Sequence, residues 1–73
     1  MSEEIFAQKG VLRIDQIRTR LFGDKIYVDI EIATDGNATL SESHKIAQQV
    51  HDCIEEKFPT VKHCMVHVNP YEE

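Results

Sequence analysis

Between Lys25 and Ala33 apolar and polar side chains alternate without a break. Ile26, Val28, Ile30 and Ile32 take one parity, and Tyr27, Asp29 and Glu31 take the other. A period of two marks a strand with one buried face. A slip of one residue would bury the acids, so the pattern itself fixes the register. Residues 11–22 also read as a strand, but in two phases. Leu12 and Ile14 share one parity, Ile17, Thr19 and Leu21 the other, and the change falls at Asp15 and Gln16. One extra residue in a strand is a β-bulge. Phe22-Gly23-Asp24-Lys25, between the two runs, reads as a hairpin turn. Residues 61–69 alternate again, with Cys64, Val66 and Val68 opposite His63, Met65, His67 and Asn69. Pro70 is expected to end that strand, leaving residues 71–73 as a frayed tail.

Two segments carry helical signals instead. After a loop at residues 34–38, Thr39 and Glu42 form the T-x-x-E pattern of a capping box. The helix they open is expected to reach about Lys57, with Pro59 as the stop. Leu40, Ala47, Val50, Ile54 and Phe58 line one arc of it, with Ile46 at the far edge. His44 and His51 lie beside that arc, toward its solvent edge. Residues 2–9 read as a shorter helix, with Ser2 as cap, Glu3 and Glu4 at the positive end of the dipole and Gly10 at the exit. It looks like the last part of a longer linker helix.

The order is α-β-β-α-β. It predicts an α+β two-layer sandwich, a truncated ferredoxin-like (metallochaperone-like) plan. The sheet has three strands, mixed in direction, with both helices on one face and a right-handed crossover. Residues 1–73 form one domain: 1–9 the end of the linker helix, 10–70 the core, 71–73 the tail. The second sheet face carries Tyr27, Glu31, Met65 and His67 with no helix to cover it. A half-apolar open face on a small domain points to a second copy of the chain, a homodimer.

Composition narrows the function. A chain of 73 residues buries only about 60% of the surface its unfolded form exposes, so a metal or a partner subunit is expected to reinforce it. An apolar content of 41% is too high for disorder. A net charge of −5 disfavours nucleic acid and anionic membrane surfaces and attracts cations. Glu3 and Glu4 stand where a signal peptide would be basic, and no apolar run approaches the roughly 20 residues of a membrane helix. The two cysteines, Cys53 and Cys64, form no CxxC pair and fall on or near core faces. They read as inert thiols in a reducing cytosol, not as a disulfide or a soft metal site. Three glycines form no phosphate loop, and no Ser, His and Asp arrangement suggests nucleophilic catalysis, so no enzyme activity is expected.

All four histidines lie between residues 44 and 67. Any one alone reads as a surface residue. Together they place His67 and Glu31 on one sheet face, His44 at the first turn of the long helix and Asp15 at the bulge. Imidazole and carboxylate donors suit zinc and other borderline divalent metals.

The segments IRTRLFG with YVDIEI, then LSESHKIAQQV, then VKHCMVHVNP carry a resemblance covering about residues 10–70. The chain resembles the cytoplasmic C-terminal domain of cation diffusion facilitator transporters. The resemblance implies the α-β-β-α-β fold, dimerisation, an attached transmembrane domain and a place on the cytoplasmic side of the cell membrane. It also implies metal binding near the subunit interface, with zinc first and manganese, iron, cobalt or cadmium as alternatives. The family's ligand positions fall on His44, His67, Glu31 and Asp15, and a fifth, often acidic, on Asn69. Glu31 stands where histidine is common, so oxygen replaces nitrogen, and Asn69 removes one charge. His51 and His63 match no ligand position. Two other readings fit the residues alone: a structural dimerisation module with incidental histidines, and a free-standing ferredoxin-like sensor of a small ligand.

Overall fold

A computed structural model describes residues 1–71 of the chain. Its elements run α1 (Ser2–Phe6), β1 (Arg13–Phe22), β2 (Lys25–Asp35), α2 (Leu40–Lys57) and β3 (Val61–Tyr71). The sheet order is β1-β2-β3, with β2 antiparallel to β1 and parallel to β3. The expected α+β plan is therefore present. Gly23, at φ 64°, supplies the left-handed residue of the hairpin turn.

The bulge stands where the change of parity put it. Ile14 pairs with Ile32 and Gln16 with Glu31, which leaves Asp15 without a partner across the ladder. The β2 parity also holds: Val28, Ile30 and Ile32 are fully buried, against Ile5 of α1 and Val50 and Ile54 of α2. Each such side chain contributes about 1.5–3 kcal/mol of burial free energy. The α2 cap forms as expected, with the Glu42 amide donating to Thr39 Oγ1 at 3.1 Å.

Several details differ from the sequence reading. Ser2 is the first residue inside α1 and does not cap it; Met1 holds the N-cap position, with no side-chain cap hydrogen bond. Helix α1 ends at Phe6, because a tight turn follows in which Gln8 N donates to Ile5 O and Val11 N to Gln8 O. Strand β2 runs two residues into the expected loop, to Asp35. Strand β3 does not stop at Pro70: Pro70 pairs with Thr34 and Tyr71 with Asp35. β3 is an edge strand, and one side of its backbone has no ladder to lose, so a proline is tolerated there. Of the tail, Tyr71 thus belongs to the sheet, while residues 72–73 lie outside the described residues. Finally, Leu40 is 75% exposed; at the first helical position it borders a surface depression and does not reach the core.

Candidate metal centre

The parallel pairing of β2 with β3 sets Glu31 beside His67 and Ala33 beside Asn69. The antiparallel pairing with β1 brings the bulge to the same end of the open face. Asn69 joins the strands there. Its side-chain amide donates to Asp15 Oδ2 at 2.9 Å and to Glu31 Oε1 at 3.2 Å. One neutral amide thus holds two carboxylates from different strands. With its amide turned to satisfy both ends, Gln16 adds a donor to Glu31 Oε2 at 2.8 Å.

The Arg13 guanidinium binds Asp15 and lies over the Tyr71 ring, 5.1 Å from its centroid. This ion pair, and next the Asn69 hydrogen bond, hold the Asp15 carboxyl below its ordinary pKa. Asp29, also on the open face, is engaged by Arg20 at 3.0 Å and stays outside the cluster.

Four of the five residues read from the sequence, Asp15, Glu31, His67 and Asn69, therefore meet at one end of the open sheet face. His44 is placed differently. It is exposed on α2, on the helix side of β3, and shares with His67 a depression bordered by Asp35, Ser43 and Pro70. His63 stands apart at the hairpin end, its ring 5.8 Å from that of Tyr27. Met65 is 47% exposed on the open face. Cys64 is buried, and burial pushes its thiol up to about 11, which disfavours the free thiolate at neutral pH. The donor chemistry at Asp15, Glu31 and His67, two carboxylates plus one imidazole, fits a divalent cation, while Asn69 turns its amide NH2 toward both carboxylates.

One arrangement went unread in the sequence. His51 Nδ1 lies 3.5 Å from Asp52 Oδ1 and 3.5 Å from Glu55 Oε1, on the exposed side of α2. Among the described residues, this trio is the group of His, Cys, Asp and Glu donors compact enough to hold an ion within one chain. The local signal was the His-x-x-x-Glu spacing, one helical turn.

A family model described as the cation efflux protein, cytoplasmic domain, matches residues 1–71. The manganese efflux system protein MneP of Bacillus subtilis (strain 168) is 36% identical over 69 residues, which are 94% of this chain and 23% of MneP. Metal tolerance protein 3 of Oryza sativa subsp. japonica is 36% identical over 59 residues, 81% of this chain and 14% of that protein. The chain thus spans about a quarter or less of the length of these relatives. A solved zinc form of the MamM CTD superposes with a TM-score of 0.91 at 22% identity, covering 97% of this chain and 78% of that one. A manganese form gives 0.89 at 23% identity, covering 94% and 87%. These two likenesses establish the fold. The match along almost the whole chain, together with the identity to MneP, places this protein in the family of cation efflux protein cytoplasmic domains, which is not a family of enzymes.

Proposed function

We propose that this domain is a metal-binding regulatory and dimerisation module of a divalent cation efflux transporter. The supporting observation is the pair of carboxylates, Asp15 and Glu31, gathered from two strands by Asn69 beside His67. Two like charges held this close repel one another, and a divalent cation relieves that repulsion. Two chains that each carry −5 also repel, so a cation shared at the open face favours a closed homodimer. The attached membrane part is proposed from the family and from the share of MneP that this chain spans. Among the described residues no helix is long and apolar enough to cross a membrane. The domain then works on the cytoplasmic side, reporting metal to the transport path.

Zinc is the sequence reading, yet the oxygen-rich donor set also suits a harder cation, and manganese stands beside zinc for that reason. The name of MneP points the same way. His44, from the helix side, serves as a ligand where a partner subunit or a shift of its side chain brings it toward His67. The test is calorimetric titration of the 73-residue chain with zinc and with manganese, alongside sedimentation. Tight binding that drives dimerisation, abolished in Glu31→Gln and His67→Ala but not in His63→Ala, is expected. Equal binding in all variants overturns the proposal. The rival reading, a structural dimer module, draws on the exposure of His44 and His67 and the prior engagement of Asp15 by Arg13. It predicts a dimer at every metal concentration.

A further inference from the structure

We infer that α2 carries a second cation site, formed by His51, Asp52 and Glu55, that takes a borderline divalent metal such as zinc independently of the open sheet face. The geometry is more specific than charge. A protonated imidazole bonded to a carboxylate closes to about 2.7–2.9 Å. Here His51 Nδ1 stands 3.5 Å from each of two carboxylate oxygens, engaging neither closely. Donors about 2.1 Å from a tetrahedral ion lie about 3.4 Å from one another. Both His51 separations match that spacing, and the three donor atoms lie within 4.8 Å of one another.

The scaffold supports this use. His51 and Glu55 are one turn apart on a helix of 18 residues, whose buried Val50 and Ile54 flank them and fix the backbone against the sheet. Gln48 donates to Asp52 Oδ1 at 2.8 Å, which restrains that carboxylate. One nitrogen and two oxygens leave the remaining position to water, so the site holds metal more weakly than a closed four-ligand site does. Nitrogen in the set favours zinc, nickel or copper over manganese. The trio shares no residue with the Asp15 and Glu31 cluster, so the two sites can be removed separately.

The test uses the full chain without an affinity tag and zinc as the probe. In an Asp15→Asn/Glu31→Gln background, one zinc per chain is expected to remain, and His51→Ala or Glu55→Gln is expected to weaken it by at least about tenfold. The nitrogen-15 resonance of His51 Nδ1 should shift on zinc addition as ligation replaces its lone pair. The proposal is overturned if zinc binding in that background is unchanged by His51→Ala, if it saturates only near about millimolar zinc, or if the His51 resonance stays in place. Loss of zinc binding in the Asp15→Asn/Glu31→Gln background alone also overturns it. Failure here leaves the open-face site untouched, because that site is read from Glu31→Gln and His67→Ala.

Discussion

Gly10→Ala probes the seat of the helix that carries His44 and His51. Gly10 has a φ of 98°, a region that side-chain-bearing residues avoid. A Cβ placed there would stand 2.6 Å from Ile46 Cδ1 and 2.9 Å from Ile46 Cγ1. Two costs follow. The backbone term is about 1–2 kcal/mol for an L-residue held at positive φ. The overlap term, in which Ile46 must leave its rotamer or α2 must move, is about 1–3 kcal/mol. Together they remove about 2–5 kcal/mol, from a total that runs to about 4–11 kcal/mol for a domain of this size. At roughly 4–8 °C per kcal/mol, the melting temperature should fall by at least about 8 °C. The terms can be separated by a double-mutant cycle with Ile46→Ala. That change removes both contacting atoms, so it should recover the overlap term and leave the backbone term. Thermal and urea denaturation of the four proteins measure it. A Gly10→Ala protein that melts within about 2 °C of the parent refutes the reasoning, and a cycle with no coupling shows that Ile46 is not the obstacle.

Asn69→Asp removes the one donor common to Asp15 and Glu31 and adds a third carboxylate. The metal-free protein should lose stability while divalent affinity rises by about tenfold, since ligand charge tunes such sites; titration and melting with and without metal test both signs. Asp15 has a depressed pKa in the folded state, first through Arg13 and then through Asn69. Its contribution to stability is therefore present above the unfolded value of about 3.9 and is lost as pH falls through the lower folded value. Asp15→Asn should accordingly cost stability near neutrality and progressively less below about pH 4, as followed by denaturation across that range. Cys64→Ala, at a residue 3% exposed, should cost about 1–2 kcal/mol with zinc affinity unchanged; a large loss of affinity would reveal thiolate ligation.

Local pattern carried much of this protein. Unbroken alternation from Ile26 to Ile32 determined which face of β2 is buried, because side-chain parity is a property of the strand alone. The change of phase at Asp15 located the bulge, and Thr39 with Glu42 located the start of α2. These signals act over a few residues, so one sequence suffices to read them. Tertiary structure decided which donors meet. Asn69 lies 54 residues from Asp15 in the chain, and only the pairing of both outer strands with β2 brings its amide to both acids. No periodicity encodes that contact, since it depends on two inter-strand registers at once. Likewise, the sequence could place His44 at the head of α2 but could not say that α2 sets it on the helix side of β3, bordering a depression with His67 and away from Asp15 and Glu31. Pro70 looked like a terminator because proline lacks a donor; only the position of β3 at the sheet edge removed the need for one.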